Sequence, residues 1–385
     1  MLFEAMTLTP IFLFFRNLIK ENDAMNNAHK SIPVRIFVNG IRGKTSTTRM
    51  IHAVLRNHYN TVGKTTGSEP VIIHKNGDEE HIKRVGLTNI NEQIRVMKLA
   101  NDTNAEAIVF ECMAIEPSYQ KLLEEKVMRS TIGVITNVRF DHEDVMGESL
   151  EEIAESLSNT IPTNGILVVP ENIEKLDILQ QVANGKNTRV VLAKLDQVPD
   201  GYEKRFSFMN FKENVTIVLS IAEILGIDKE TALNDMLKTK HDIGKGNVYT
   251  KIIDNKSISF VNSFANNDIG SLTLMLSYVE IPKTNKKIAL LNHRKDRMRR
   301  TYGFINFLCR YGFDTIVIAQ ENDSNIIEKE LRLNGYTGDV KVLTPESNHI
   351  QELLKLSNKD RNTWIGLANI KSEFADSVMR FFETY

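Results

Sequence analysis

Residues 40–46 read GIRGKTS, placing two glycines, a lysine and two hydroxyls in one short stretch. That set suits a polyphosphate. Glycines at 40 and 43 let backbone N–H groups turn toward anionic oxygens, and a helix beginning just after them adds the positive end of its dipole. Lys44 can then reach the β- and γ-phosphates of a nucleotide, and the hydroxyl of Thr45 or Ser46 can ligate Mg²⁺. The spacing here is G-x-x-G-K-T. The commoner pattern G-x-x-x-x-G-K-[ST] would need a glycine at position 38, where the chain has Val38. The plain alternative is a glycine-rich turn that only caps a helix, with Lys44 in solvent.

Two further stretches offer oxygen and imidazole groups. VFECM (109–113) carries Glu111, with Glu116 a little beyond, and TNVRFDHEDVMG (136–147) carries Asp141, His142, Glu143 and Asp144. A phosphoryl-transfer site needs such ligands, because the metal they hold neutralises charge developing on the transferred group. Either stretch alone reads as a solvated strand end or a capping histidine. Their order, GKT then Glu then Asp-His, each at the end of a strand-like run, points to one site.

Bringing these groups together requires a scaffold, and the chain alternates apolar runs with polar, helix-compatible stretches. VRIFVN (34–39) predicts the strand before the glycine loop, and TSTTRMIHAVLRNH (45–58) the helix after it. AEAIVFECM (105–113), STIGVITNV (130–138), GILVVP (165–170) and TRVVLAK (188–194) predict further buried strands. A second series follows at ISFVNSF (258–264), KKIALLN, DTIVIAQ (314–320) and TWIGLAN (363–369). This rhythm predicts an α/β fold with a mostly parallel sheet covered on both faces. The expected order is an N-terminal arm over 1–33, a P-loop ATPase domain over 34–245 and a smaller C-terminal α/β domain over 246–385. The boundary falls at HDIGKGN (241–247), which has two glycines and no strong periodicity. Ligands of such open sheets bind beyond the carboxyl ends of the strands, where all the groups named above fall.

Composition narrows the class. With 385 residues the chain can bury two or three cores, and 42% hydrophobic with 25% charged residues is the balance of a soluble globular protein. A net charge of −1 gives no reason to expect nucleic acid as a partner. Two distant cysteines, Cys112 and Cys309, argue against a disulfide scaffold and fit a reducing compartment. LTPIFLFF (8–15) contains Pro10 and follows Glu4, and it is shorter than the roughly 20 apolar residues of a spanning helix. It reads as an arm lying on a membrane surface, on a partner or on the protein's own body.

At the level of whole motifs the chain resembles a family. GIRGKTST, the Glu of VFECMA, TNVRFDH and KENVTIVLSIAEILGI (212–227) are similar to the successive motifs of the Mur ligase superfamily, which are ATP-dependent amide ligases. VNGIRGKTSTTR, TVGKTTGSEP, ECMAIEPSYQ, IGVITNVRFDHEDVMG, FVNSFANND and NHRKDR resemble, within it, the ligase subunits of poly-γ-glutamate synthases, over residues 34–369. The resemblance implies that a carboxylate is activated by ATP as an acyl phosphate, with ADP released, and then joined to an amine. It implies ATP and Mg²⁺ as cofactors, with Gly40, Gly43, Lys44, Thr45, Ser46 and Asn214 on the nucleotide. Lys44, Glu111 and His142 become catalytic groups, Thr45 and Glu111 holding one Mg²⁺ and His142 contributing to a second. Asn267 and Asp268 of FANND are placed toward the nucleotide, and Thr65, Thr66 and Ser68 of GKTTGSEP (63–70) at the acceptor. Asn292, Arg294, Asp296 and Arg297 fall at the amino-acid site, where arginine pairs with carboxylate through two parallel hydrogen bonds. A polar turn at 63–70 and a solvated basic stretch at 294–300 are the plain alternatives.

The substrates so implied are glutamate and a γ-glutamyl oligomer. The implied partners are membrane-protein subunits of a polymer synthase and export complex; nucleic acid is not among them, and a homo-oligomer is compatible. The location implied is the cytoplasm, at the inner face of the membrane. Only residues 1–33 precede the first strand, so the nucleotide-sugar domain of the peptidoglycan enzymes, and with it a UDP-linked substrate, is not expected. ESLSNTIPTNG (155–165) has no lysine where many Mur ligases carry a carbamylated one, and HDIGKGNVY (241–249) lacks an arginine often found there. Two alternatives stand beside this reading: a folylpolyglutamate-synthase-like ligase, which would need an aromatic pterin pocket, and an ATP-binding assembly subunit without turnover.

Overall fold

In both halves of the chain, strand residues point alternately into two apolar cores, one on each face of a sheet. The computed structural model describes residues 22–67, 70–83, 89–206, 210–240, 248–265, 269–279, 281–295, 298–319, 323–370 and 372–383. The boundary stretch 241–247, the apolar run 8–15, and Ser68, Asn267, Asp268, Asp296 and Arg297 lie outside the described residues. The described residues divide into two compact units, one within 22–240 and the other within 248–383.

The first unit holds an eight-stranded sheet. Its strands are β1 (Val34–Asn39), β2 (Thr61–Thr65), β3 (Val71–Ile73), β4 (Glu79–His81), β5 (Ala107–Glu111), β6 (Ile132–Ile135), β7 (Ile166–Pro170) and β8 (Arg189–Ala193). They lie in the order β4-β3-β2-β5-β1-β6-β7-β8. All pairings are parallel except β2 with β3 and β3 with β4. Strands β2 to β4 lie on one side of β1 and β6 to β8 on the other, so the turn after β1 occupies the switch point where such sheets bind ligands. Phe37, Ile108 and Phe110 enter one core with Ile32, Val96, Met97 and Met128. Their neighbours Ile36, Val38 and Val109 are equally buried on the opposite face. The helix Lys44–Leu55 packs on β2, β5 and the helix Lys212–Ile224, and even its Thr47, Thr48 and His52 are buried.

The second unit is a six-stranded sheet of β9 (Val248–Ile253), β10 (Lys256–Val261), β11 (Lys286–Leu291), β12 (Thr315–Ala319), β13 (Asp339–Leu343) and β14 (Arg361–Leu367). The order is β13-β12-β11-β14-β10-β9, with only β9 and β10 antiparallel. Ala289, Leu291, Ile316 and Ile318 enter a core with Phe304 and Leu308. Ile288, Leu290, Val317 and Ala319 enter the other, with Trp364, Phe374 and Phe382. Burial on both faces is why the parallel strands read as continuous apolar runs.

Five strands escape that signal: β2, β3, β4, β9 and β13. TVGKT of β2 reads as a polar turn, yet all five residues are buried. Gly63 makes room for His52 of the neighbouring helix, since a Cβ there would lie 3.0 Å from the imidazole Cδ2. Lys64, fully buried, has its ammonium 3.7 Å from a Glu92 carboxylate oxygen. Three-residue strands such as β3 and β4 are too short to show a period.

One buried acid makes stability depend on pH. Glu124 lies in a π-helical turn, Leu123–Met128, and accepts hydrogen bonds from Ser130 N at 2.9 Å and Ser130 Oγ at 2.8 Å. Burial pushes its carboxyl up from 4.5 to about 7, although those two bonds pull the other way. Between these values the folded state holds a proton that the unfolded chain has lost, so stability falls as pH rises through this window, by at most about 3 kcal/mol. Glu124→Gln removes the charge and with it the penalty. Its urea midpoint is expected to exceed that of the unaltered chain at pH 8, and the advantage to vanish near pH 4.5. An advantage independent of pH would show that ionisation of Glu124 is not its source.

Candidate active site

Strand register delivers the singled-out groups of the first unit to one edge. Val38 of β1 stands opposite Glu111 of β5, Asn39 opposite Ile135 of β6, and Lys64 of β2 opposite Phe110 of β5. Thr65, Glu111 and the glycine turn therefore emerge level with one another, and the loop 136–142 emerges on the far side of β1.

The turn needs both of its glycines. Gly40 has φ 126° and Gly43 φ 83°, in the region only glycine enters freely. Neither has room for a side chain: a Cβ at 40 would lie 2.1 Å from Thr136 Oγ1, and one at 43 would lie 2.6 Å from Asn214 Oδ1. Gly43 is the N-cap of the helix Lys44–Leu55, whose first N–H groups and positive dipole end face the turn. Lys44 Nζ donates to Gly40 O at 2.7 Å and to Ile41 O at 3.4 Å, folding the ammonium back over it. Thr45 is buried and Ser46 half-buried.

Thr45 and Glu111 meet beside the turn. The Thr45 hydroxyl lies 3.1 Å from each carboxylate oxygen of Glu111, and Thr66 N donates to Glu111 Oε2 at 2.7 Å. Gln93 Nε2 donates to the Glu111 main-chain oxygen at 2.8 Å. The carboxylate is 3% exposed, and a buried charge persists only when held in this way. Thr65 is also buried, and its hydroxyl has no hydrogen-bond partner among the described residues.

On the other flank the turn is joined to the loop after β6. Arg42 pairs with Asp141 at 2.7 Å, and Arg42 N donates to Asn137 Oδ1 at 3.0 Å. Arg42 O accepts from Thr136 Oγ1 at 2.6 Å and from Asn137 Nδ2 at 2.9 Å. His142 follows with φ 54° and caps the short helix Glu143–Met146. Its Nε2 lies 3.5 Å from Asp141 Oδ2, and the ring is partly exposed. Asn214, in the first turn of the helix Lys212–Ile224, is buried against Gly43. A cavity of about 230 Å³ opens here, lined by Arg42, Gly43, Asn137, Arg139, Asn172, Glu174, Phe211 and Asn214 among others.

In the second unit a polar layer covers the ends of β10, β11 and β14. Asn262, Asn292, His293 and Asn369 are all buried. Asn292 Nδ2 donates to Asn369 O at 2.5 Å and to Ser372 Oγ at 2.7 Å, while Asn369 Nδ2 returns a bond to Asn292 O at 2.7 Å. Asn292 thus clasps two strand ends, Arg294 is half-buried and Lys295 is exposed.

Residue types and spacing did not single out Arg42, Asn137, Gln93, Asn172, Phe211 or His293. Arg42 sits inside the glycine turn, and Asn172 stands two residues beyond the end of β7, so the strand-end rule applied to β7 would have found it. Gln93 carries no such signal, because it reaches Glu111 from the first turn of the helix Asn91–Asp102 and not from a strand end.

Sequence and fold comparisons identify the family and the fold. The profile of the Mur ligase middle domain matches residues 38–232, and that of the poly-gamma-glutamate synthase CapB C-terminal domain matches residues 248–385. The chain belongs to the Mur ligase superfamily. It is 41% identical over 294 residues to the capsule biosynthesis protein CapB of Bacillus anthracis, covering 75% of this chain and 63% of that one. To the PGA synthase CapB of Bacillus subtilis it is 41% identical over 286 residues, covering 73% and 72%. Within the superfamily the chain therefore falls with the CapB proteins. It spans a little under two thirds of the first of these relatives, 63% of its length. A bifunctional folylpolyglutamate synthase/dihydrofolate synthase from Yersinia pestis, complexed with AMPPNP and Mn ion, shares the fold, with a TM-score of 0.68 at 13% identity over 95% of this chain and 93% of that one.

Proposed function

We propose that the chain is an ATP-dependent, ADP-forming amide ligase that joins glutamate in γ-linkage to a γ-glutamyl chain. The observation that carries this reading is the buried Glu111 carboxylate held by the Thr45 hydroxyl and the Thr66 amide beside a two-glycine turn. Family membership with the CapB proteins supports the substrate class. Thr45 and Glu111 fit Mg²⁺, since both offer hard oxygen donors within one contact of each other. Among the described residues no group of three or more His, Cys, Asp or Glu side chains is set to hold a metal. A site with few protein ligands suits Mg²⁺, which keeps waters and substrate phosphates around it. When bound it would neutralise charge on the phosphates; His142 and Asp141 offer the donors for a second ion.

The turn from Gly40 to Ser46 cradles the phosphates and Lys44 moves from the loop carbonyls to the β- and γ-oxygens. Asn214, with Asn172 and Phe211, lines the cavity that takes the rest of the nucleotide. A carboxylate oxygen of the acceptor, near Thr65 and Thr66, attacks the γ-phosphorus, and ADP leaves. The amine of the incoming glutamate then attacks the acyl carbon, inorganic phosphate departs and the nitrogen loses a proton. Arg294 binds a carboxylate of that glutamate. Membrane subunits of a polymer synthase are the proposed partners, at the cytoplasmic face. Among the described residues no helix is long and apolar enough to cross a membrane.

The test is ADP and phosphate release by the purified protein with ATP, Mg²⁺ and D- or L-glutamate or short γ-glutamyl peptides. Stimulation by a γ-glutamyl acceptor with one phosphate per amide is expected. Nucleotide binding without stimulation by any acceptor, with and without membrane partners, would favour a non-catalytic assembly subunit. Stimulation by a reduced folate instead would favour a folylpolyglutamate-synthase-like reaction.

A further inference from the structure

His293 is a fully buried histidine on the turn that carries Arg294, and the chemistry proposed above does not use it. Its Nδ1 lies 2.8 Å from Thr301 Oγ1, in the helix Met298–Tyr311, and its Nε2 lies 3.8 Å from Asp323 Oδ2. Asp323 stands at the N-cap of the helix Ser324–Leu333 with φ 63°, yet its side chain makes no capping hydrogen bond. A carboxylate on the Nε2 side favours a proton on that nitrogen, which leaves Nδ1 to accept from the Thr301 hydroxyl. The preceding residue is tied down separately, Asn292 donating to Asn369 O and Ser372 Oγ. The main chain is held as well, by Asn292 N to Leu367 O and His293 N to Leu291 O, each at 3.1 Å. Two successive buried side chains therefore anchor the turn to different helices and strands, and Arg294 is the first residue beyond them that reaches solvent.

We propose that His293, bonded to Thr301 and facing the Asp323 carboxylate, is a positioning residue that sets the direction of Arg294 toward the carboxylate of the incoming amino acid. This rests on the reading of Arg294 given under Proposed function. A guanidinium pairs with a carboxylate through a planar fork, so its worth depends on the angle at which the main chain delivers it. A buried imidazole bonded on one edge and facing a charge on the other has one orientation, and it holds that angle.

The experiment compares Thr301→Val, Thr301→Ser, Asp323→Asn and Arg294→Ala in the full chain. Thr301→Val keeps the buried volume and removes the hydroxyl, whereas Thr301→Ser keeps the hydroxyl and removes a methyl group. Thr301→Val is expected to raise KM for glutamate about tenfold with kcat and KM for ATP within about twofold, and Thr301→Ser to stay near the unaltered chain. Asp323→Asn, at a partly exposed position, should shift KM for glutamate in the same direction. Thr301→Val/Arg294→Ala should be no worse than Arg294→Ala alone, because both act through one contact. The proposal is overturned if Thr301→Val and Asp323→Asn leave KM for glutamate unchanged while Arg294→Ala raises it, or if the effects of the pair multiply. A rise in both KM values together with a fallen urea midpoint, in Thr301→Ser as much as in Thr301→Val, would mark a packing role and overturn it too. If Arg294→Ala itself changes nothing, the amino-acid assignment of Arg294 fails and the proposal falls with it.

Discussion

Replacing Lys44 with alanine is expected to lower ATP turnover by about a hundredfold to a thousandfold, the size seen when one preorganised donor to a developing charge is removed. The ammonium is held by Gly40 O and Ile41 O, over the turn proposed to cradle the phosphates. Loss of these two bonds costs little stability. The turn is shaped by its glycines, by Asn137 and by the Arg42–Asp141 pair, none of which involves Lys44. Circular dichroism and the urea midpoint should therefore stay near those of the unaltered chain while ADP release collapses. Lys44→Arg should not restore activity, since the planar fork is longer and cannot replace a compact ammonium over so tight a turn. Unchanged turnover in Lys44→Ala would remove the nucleotide site from residues 40–46.

Glu111→Gln is expected to have the second large effect, a loss of turnover of about a hundredfold or more, with a raised Mg²⁺ requirement. The substitution nearly preserves size, and the amide oxygen can still accept from Thr66 N, so the strand end keeps its shape. What it removes is the negative charge. That charge is 3% exposed and is met by a hydroxyl and an N–H; neither supplies the positive charge that would match it. A bound divalent cation would. ADP release measured across a Mg²⁺ titration separates the outcomes: a curve displaced to higher Mg²⁺ agrees with a lost ligand. Activity restored by no concentration of metal, alongside an intact urea midpoint, would assign Glu111 a role other than metal binding. Full activity with an unshifted Mg²⁺ curve would exclude it from the site.

Much of the scaffold was legible in the residues because its physics is local. A parallel strand buried on both faces must be apolar at every position, so VRIFVN, AIVFE and TIVIA announce themselves. β2 was not legible. Its TVGKT is buried because Gly63 admits His52 and because Glu92 approaches Lys64, contacts that arise only once a helix from elsewhere in the chain packs against it. The glycines at 40 and 43 were legible for the same local reason, since a turn with positive φ leaves a mark on residue type.

The site divides along the same line. Residue types and motif order placed Lys44, Thr45, Glu111 and Asp141–His142 at strand ends, each readable within its own few residues. Which of them touch was a matter of register and strand order. Glu111 reaches Thr45 across 66 residues of chain and Thr66 across 45, because β5 inserts between β2 and β1. Arg42 meets Asp141 across 99 residues because β6 lies on the other side of β1. In the second unit the NHRKDR stretch announced a basic loop, and only packing made His293 a buried anchor while leaving Arg294 half-buried and Lys295 exposed. By itself the amino-acid sequence determined the continuous apolar strands, the glycine turn and the chemistry available at their ends, since these follow from backbone sterics and burial within a few residues. The tertiary structure alone decided which ends stand side by side, because the order of strands in a sheet is settled by long-range packing that leaves no periodic trace in the chain.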